Sequence, residues 1–261
     1  MNTLKTMTTR TTTKKWIAAL PVYNEAQYVD GILTEVTKYA ENVLVVNDGS
    51  SDQTADHLQR WPQVQVVSHP TNRGYGAALQ SAFRYAIEHD YEYLVTLDCD
   101  GQHQPKRIPR FVNACLNADI VSGSRYLKQY EGDSQPPSQR LFINRQITRQ
   151  LNDLLCLNLT DAFCGFKAYR VEALKLLNIE DDGYAMPLEL WVQAAMRGLR
   201  VIEVPVPLIY LDLNRSFGGA LDEAEKRLQY YNDCIDKSVA AMKDRGFSLP
   251  SKQPACRKCP Q

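Results

Sequence analysis

The rest of this chain is arranged around the stretch Val95-Thr96-Leu97-Asp98-Cys99-Asp100-Gly101-Gln102-His103. The apolar, β-rich residues 93–97 lead into two carboxylates at alternate positions, and a glycine follows. Since side chains alternate along a strand, Asp98 and Asp100 are predicted to leave its carboxyl end on one side, with Cys99 turned away. Gln102 can add a carbonyl oxygen, and such a set of hard oxygen donors favours Mg²⁺ or Mn²⁺. The alternative interpretation is a polar turn that ends the strand.

The composition is typical of a globular protein. The 261 residues suffice for one large α/β domain or two small ones. The 30 basic and 30 acidic residues cancel, so no overall basic field indicates nucleic-acid binding. No apolar run approaches the roughly 18 to 20 residues that a bilayer requires, and the sequence therefore predicts no transmembrane segment. Seven scattered cysteines argue against a disulfide framework and favour a reducing, cytoplasmic location.

Both ends of the chain are predicted to lie outside the folded domain. Residues 1–15 are rich in Thr and basic residues and lack the apolar centre of a secretory signal, so we expect a disordered segment, with an organellar transit role as the minor alternative. Residues 246–261 are predicted to form a polar tail. Its Cys256 and Cys259 lack the second pair that a four-ligand zinc site needs. Residues 16–245 remain as the folded domain.

Strands and helices alternate along the first half. The predicted strands are residues 16–22, 43–46, 64–68 and 93–97, and helices are predicted near residues 29–39, 53–61 and 77–89. This order predicts an α/β fold with a mostly parallel central sheet and helices on both faces. Ligands bind at the carboxyl ends of such strands. The polar residues found there are Tyr23, Glu25, Asp48, Arg73, Asp98 and Asp100. Neither a complete Rossmann fingerprint nor a Walker A motif is present.

Four motifs in order resemble those of family 2 glycosyltransferases. They are residues 21–25, 47–50, 72–78 and 98–103. Within that family the chain is most similar to the polyprenyl-phosphate sugar synthases, the dolichol-phosphate mannosyltransferase-like branch, and the similarity extends from Pro21 to about Ser216. The resemblance implies a GT-A fold for residues 16–245, a divalent metal, and inverting transfer of a sugar from a nucleotide-sugar donor.

The resemblance also implies which residues bind the donor. Pro21, Tyr23, Glu25 and Asp48 would hold the nucleoside, with Asp48 on the base, and Arg73 would join the substrate-binding set. Asp98, Asp100 and Gln102 would hold the metal at the donor diphosphate. Asn47 stands where an aspartate is more usual, and we expect little effect, since the second acid of that pair faces the base in relatives. A dication there would stabilise the charge on the leaving group.

The second half resembles the acceptor side of the same family. A strand at residues 119–123 leads into a Gly-Ser-Arg-Tyr motif, in which Arg125 is a candidate phosphate clamp. Residues 128–137 are predicted to form a flexible loop over the site. Arg140 and Asn144 lie four residues apart on a predicted helix, and by resemblance they contact an acceptor phosphate. The alternative is a solvated helix face, since Arg145 and Arg149 follow on nearby turns.

Further downstream, residues 161–167 resemble the family's Asp-x-x-x-Gly-Phe segment. Asp161 would be a base for a hydroxyl acceptor and a positioning group for a phosphate acceptor, which is already an anion. We favour positioning, with a structural cap as the alternative. Glu189, on a helix that begins at Pro187, is expected by resemblance to reach the sugar or acceptor pocket.

The remaining elements are predicted from local patterns. Residues 200–204 and 206–211 are predicted to be strands, at an edge of the sheet because of Pro205 and Pro207. Residues 214–217 resemble a family loop that closes over the donor. A last helix carries an apolar stripe between Leu221 and Met242, which we interpret as a packing surface.

The favoured function is a metal-dependent, inverting glycosyltransferase that uses a polyprenyl phosphate acceptor, with peripheral contact at the cytoplasmic membrane face. An alternative enzyme would use a hydroxyl acceptor such as a saccharide. A protein of another class would bind a nucleotide sugar without turnover. The donor base, uridine or guanosine, the sugar and the oligomeric state are left open.

Overall fold

The computed structural model describes residues 15–211 and 219–251. The predicted loop at residues 214–217, the segment 1–14 and the cysteines at 256 and 259 lie outside these ranges. The elements are β1 (Trp16–Val22), α1 (Val29–Val36), β2 (Val43–Asn47), α2 (Thr54–Leu58), β3 (Gln65–Ser68), α3 (Tyr75–Glu88), β4 (Tyr93–Thr96), α4 (Ile108–Ala114), β5 (Ile120–Ser124), α5 (Ser138–Leu155), β6 (Lys167–Arg170), α6 (Val171–Leu174), α7 (Met186–Met196), β7 (Val201–Pro205) and α8 (Ala224–Asp244).

The strands form one sheet in the order β3-β2-β1-β4-β6-β5-β7. Neighbours pair in parallel except at β6, which runs antiparallel to both β4 and β5. The mostly parallel sheet is therefore as predicted, whereas β6 was not predicted because its residues, Lys-Ala-Tyr-Arg, form no apolar run. Since β6 begins where its neighbours end, the segment just before Lys167 lies at their carboxyl edge.

Two cores cover the two faces of this sheet. Alternate residues of β1 belong to opposite faces. Ile17 and Ala19 pack with α3, α5, α7 and α8, whereas Ala18 and Leu20 pack with α1, α2 and α4. Each of these four residues is fully buried. Continuous apolar strands of this kind are required where helices cover both faces of a parallel sheet.

The prediction of a strand at residues 206–211 is wrong. The sheet ends at β7, which occupies the edge as expected, and the chain then bonds to the loop at residues 128–137. Leu208 donates its N–H to Asp133 Oδ1 (2.9 Å) and accepts from Ser134 N–H (2.7 Å). Pro207 has no N–H to continue a ladder, so bonds from Leu208 to the Asp133 side chain and the Ser134 backbone replace those of a strand partner. The loop itself is thereby held at the edge of the sheet, and its residues do not line the cleft described below.

No helix within the two described ranges combines the length and the apolar character needed to cross a bilayer.

Candidate active site

A cleft of about 770 Å³ lies at the carboxyl ends of β1, β2, β4 and β5. Small-molecule sites in proteins commonly measure roughly 300–1,000 Å³. The predicted site residues that line this cleft are Pro21, Tyr23, Glu25, Asp48, Asp98, Asp100, Gln102, Arg125, Arg140 and Asn144. Residues from Pro21 to Asn144 therefore meet at one surface, and those that follow β1, β2 and β4 do so as expected for strand ends of a parallel sheet.

The loops after β1 and β2 are joined by Asn24. This residue adopts a positive φ of 55°, and its side-chain oxygen accepts hydrogen bonds from the N–H groups of Ser51 (2.8 Å) and Asp52 (3.3 Å). Asparagine tolerates the left-handed region better than most residues. The junction holds Tyr23, which is 44% exposed, and the buried Glu25 in the lining of the cleft.

Asp48 holds the loop that follows β3. Its Oδ1 lies 2.6 Å from His69 Nδ1 and accepts the Arg73 N–H at 2.9 Å, while its Oδ2 accepts the Gly74 N–H at 2.8 Å. Gly74 has a φ of 112°, a conformation that a side chain would strain. Three acceptor positions of the Asp48 carboxylate are thus occupied, which leaves one of roughly four for a ligand.

Arg73 differs from the prediction. Its side chain is exposed and is not among the residues that line the cleft. Only its backbone contacts the site, through the bond to Asp48. The motif at residues 72–78 does lie at the cleft, but the residues on either side of Arg73, which are Asn72 and Gly74, line it instead.

Asp98 is held in place by two side chains that the sequence did not single out as site residues. The Tyr75 hydroxyl donates to Oδ1 at 3.0 Å, and His103 Nε2 lies 3.1 Å from Oδ2. Burial alone would raise the pKa of Asp98, but the His103 contact and then the Tyr75 hydrogen bond hold that pKa below its usual value. Cys99 is buried, as the alternation predicts. Asp98 is therefore a carboxylate at neutral pH.

The donor set fits a hard divalent cation. Asp98, Asp100 and Gln102 line the same cleft, and together they offer two carboxylates and one amide oxygen. Gly165 makes room for this arrangement, since a Cβ at that position would lie 2.5 Å from Asp98 Oδ1 and closer still to Oδ2. Within the described part of the chain, no group of three or more His, Cys, Asp or Glu side chains forms a metal site. A cation here would have few protein ligands.

Arg125, which lines the cleft, forms an ion pair with the buried Asp161. Asp161 is completely buried, and its carboxylate accepts five hydrogen bonds, three from Arg125 and one each from Asn144 and the Phe163 N–H. The Arg125 Nε and Nη2 atoms lie 2.7 and 2.9 Å from the two carboxylate oxygens. Burial would raise the pKa of Asp161, but the charge of Arg125 and the hydrogen bonds lower that pKa to about 2.

This network changes the interpretation of two predicted residues. Asp161 does not line the cleft but orients Arg125, which does. Asn144 lines the cleft, yet its Nδ2 donates to Asp161 (2.8 Å) and its Oδ1 accepts from the Thr148 hydroxyl (3.0 Å). Both residues therefore support the arginine through hydrogen bonds.

Glu189 also differs from the prediction. It lies in the first turn of α7, buried and outside the cleft lining. Its Oε2 accepts the N–H groups of Glu180 (2.9 Å) and Asp181 (2.8 Å), and Oε1 accepts from Gln193 (3.0 Å). The residue thus holds the loop before α7, and that loop contributes Tyr184 to the cleft.

Helix α8 contributes two cleft residues that sequence reasoning missed. Arg227 and Tyr231 line the cleft, and both are 3% exposed. Tyr231 belongs to the apolar stripe between Leu221 and Met242, which was interpreted as a packing surface only, and Arg227 immediately precedes Leu228 of that stripe. The sequence did contain a signal for Arg227. A charged residue that shares the apolar helix face of Ala224 and Tyr231 is unusual, and it indicates a polar site beside that face.

Comparison with known proteins agrees with this architecture. Residues 18–177 match the profile of Glycosyl transferase family 2. The chain is 33% identical over 220 residues to undecaprenyl-phosphate mannosyltransferase of Micrococcus luteus, covering 80% of this chain and 90% of that protein. It is 30% identical over 215 residues to polyprenol monophosphomannose synthase of Mycolicibacterium smegmatis, covering 78% and 81%.

A solved structure shares the fold at low sequence identity. The crystal structure of glucosyl-3-phosphoglycerate synthase from Mycobacterium tuberculosis superposes with a TM-score of 0.69 at 17% identity, covering 92% of this chain and 82% of that chain. The GT-A fold predicted from the motifs is confirmed by this likeness and by the sheet described above. The chain belongs to glycosyl transferase family 2 and is a glycosyltransferase.

Proposed function

We propose that this glycosyltransferase transfers a sugar from a nucleotide-sugar donor, with inversion and with Mg²⁺ or Mn²⁺, to a polyprenyl phosphate. The named activities of the two bacterial relatives support the acceptor class. Because a polyprenyl phosphate resides in a bilayer, the proposal includes peripheral contact with the cytoplasmic face of a membrane.

The observation that carries the acceptor assignment is the state of Asp161. A general base works best when its pKa lies near the operating pH. The pKa of Asp161 is about 2, and its oxygens accept five hydrogen bonds, so it has little capacity to take a proton. A hydroxyl acceptor would need that base, whereas a phosphate acceptor is already an anion. The acidic residue on the acceptor side therefore supports a phosphate acceptor over the hydroxyl alternative.

On the donor side, Pro21, Tyr23, Glu25 and Asp48 would contact the nucleoside. Asp98, Asp100 and Gln102 would hold the metal, which when bound stabilises the negative charge on the departing nucleoside diphosphate. The observation that supports this set is the shared cleft lining of all seven side chains.

On the acceptor side, Arg125 and Arg140 would hold the phosphate. The Asp161 ion pair keeps the Arg125 side chain in one orientation, which lowers the entropy cost of gripping an anion. An acceptor oxygen would then form a bond to the anomeric carbon as the bond from that carbon to the nucleoside diphosphate breaks. One displacement of this kind inverts the anomeric centre.

Transfer assays with the full chain test the proposal. Radiolabelled UDP- and GDP-sugars are incubated with Mn²⁺ and a detergent-dispersed prenyl phosphate, and label is counted in the lipid extract. We expect product with one donor, its loss on chelation, and its loss in Asp100→Ala. Arg140→Ala should weaken acceptor use and leave donor affinity nearly unchanged.

The alternatives give different results in the same assay. Transfer to saccharide hydroxyls without transfer to prenyl phosphates would favour the hydroxyl acceptor. Nucleotide-sugar binding with no turnover on any acceptor would favour a binding module. A thermal-shift screen of nucleoside diphosphates with Mn²⁺ identifies the donor base, because a ligand at a hundred times its Kd stabilises the fold by about 2.7 kcal/mol.

A further inference from the structure

Helix α8 brings a third guanidinium, that of Arg227, to the cleft beside those of Arg125 and Arg140, and no family motif accounts for it. Arg227 Nη1 donates to the Leu221 carbonyl oxygen at 2.6 Å, and Nη2 donates to Gln139 Oε1 at 3.4 Å. Gln139 immediately precedes Arg140 in the first turn of α5. The start of α8 and the start of α5 therefore meet at the cleft, and each contributes one arginine to its lining.

The two arginines influence each other electrostatically. Burial lowers the pKa of Arg227, Tyr231 raises it, and the positive charge of Arg140 lowers it further, while Asp222 acts in the opposite direction. Two cations that repel each other in a partly desolvated cleft are stabilised when an anion contacts both of them. A doubly charged anion does this better than a singly charged one. A phosphomonoester approaches a charge of −2 near neutral pH.

The wall beside these arginines is apolar and aromatic. Ile143, Phe163, Tyr184 and Tyr231 line the same cleft, and the Phe163 and Tyr231 rings lie 4.9 Å apart between centroids. Such a surface contacts hydrocarbon favourably, at about 25 cal/mol per Å² of apolar area buried. A ligand that matches both features carries a phosphate group at the end of an apolar chain.

We propose that Arg227, together with Arg140, clamps the dianionic phosphomonoester of the acceptor lipid, while the wall of Phe163 and Tyr231 contacts the first part of its hydrocarbon chain. This inference rests on the proposed polyprenyl phosphate acceptor and assigns to Arg227 the selection of phosphomonoesters over alcohols. It makes α8, and not only the motif-bearing strand ends, part of the acceptor site.

Binding measurements on the full chain test this assignment independently of turnover. Calorimetry gives the Kd of farnesyl phosphate, farnesol and inorganic phosphate for the wild type, Arg227→Gln and Arg227→Lys. Arg149→Gln is the matched control, because Arg149 lies on the exposed face of α5 with 87% of its side chain accessible. The Kd of the nucleoside diphosphate with Mn²⁺ reports whether the donor side is intact.

We expect Arg227→Gln to weaken farnesyl phosphate about 10- to 100-fold, the effect of losing charged hydrogen bonds. Farnesol and nucleotide affinity should change less than twofold, Arg227→Lys should retain part of the phosphate affinity, and Arg149→Gln should match the wild type. The double variant with Arg140→Gln should lose less than the product of the single losses, because the two side chains act on one ligand.

Other outcomes overturn the inference. An unchanged farnesyl phosphate Kd in Arg227→Gln would remove Arg227 from the site. Equal losses for farnesyl phosphate, farnesol and nucleotide would indicate a purely structural role. Inorganic phosphate binding as tightly as farnesyl phosphate would refute the lipid as the source of the phosphate. If Arg227-dependent binding of farnesyl phosphate occurs but no sugar is transferred to prenyl phosphates, the clamp stands and the proposed function fails.

Discussion

Replacing Gly165 by alanine is the sharpest test of the position of Asp98. The added Cβ would lie 2.5 Å from Asp98 Oδ1 and 2.6 Å from Cγ, whereas 3.4 to 4 Å is ordinary contact. The carboxylate must therefore move by about 1 Å, and a displacement of that size in a reacting site can cost about 100-fold in rate. The movement would also weaken the bonds from Tyr75 and His103. Crowding of a packed site should reduce the free energy of unfolding by about 1–3 kcal/mol.

The assay compares sugar transfer and Mn²⁺-dependent nucleotide binding in the wild type and Gly165→Ala. We expect kcat/KM to fall about 100-fold, and the Mn²⁺ concentration for half-maximal binding to rise. Gly31→Ala is the matched control, because Gly31 lies in α1 and its added Cβ would meet nothing beyond the backbone of its own helix within 4 Å. That variant should keep full activity and gain up to about 1 kcal/mol in stability.

Activity and Mn²⁺ dependence within twofold of the wild type in Gly165→Ala, with the variant folded, would refute the reasoning. The carboxylate of Asp98 would then have no required position, and the metal assignment would be lost with it. Equal loss of activity in Gly31→Ala would indicate a general sensitivity of the fold.

Three further predictions concern the Arg125–Asp161 ion pair and the exposed side chain of Arg73. Arg125→Gln leaves the buried Asp161 charge without its ion-pair partner and should lower the free energy of unfolding by about 3–5 kcal/mol, measured by urea denaturation; a loss below 1 kcal/mol would contradict the buried pair. The pKa of Asp161 is lowered from 3.8 to about 2 on folding, so it contributes about 2 kcal/mol of stability above pH 4 that is lost as the pH falls toward 2. In Asp161→Asn the free energy of unfolding should not show this decline between pH 4 and pH 2. Parallel curves of unfolding free energy against pH for the two proteins would contradict the contribution assigned to Asp161. Arg73→Ala should leave nucleotide affinity within twofold of the wild type in calorimetry, because the side chain lies outside the cleft; a tenfold loss would restore its role in donor binding.

Local pattern was sufficient for the strand ends that form the donor side. β1, β2 and β4 are continuous apolar runs because helices cover both sheet faces, and each is followed by polar residues. The parallel order then brings Tyr23, Asp48 and Asp98 to one edge without further information. The binding roles of these residues and of the metal remain predictions.

Side-chain direction was less accessible to sequence reasoning. Arg73 and Glu189 lie in correctly located motifs, yet one is exposed and the other bonds to the loop before α7. A motif indicates where the chain runs, while the rotation of a loop or helix depends on what packs against it. The role of Asp161 was equally hard to predict from the sequence. Burial would raise its pKa and the charge of Arg125 lowers it, and both effects depend on tertiary packing.

Short-range periodicity in the amino-acid sequence was enough to predict the alternation of strands and helices. It also located the family motifs at one edge of the sheet. The folded chain was needed to show that β6 runs antiparallel between β4 and β5, and that Arg227 of α8 lines the same cleft as Arg140. Both results depend on packing between segments more than 40 residues apart in the chain, and the free energy of such contacts leaves no periodic signal in either segment.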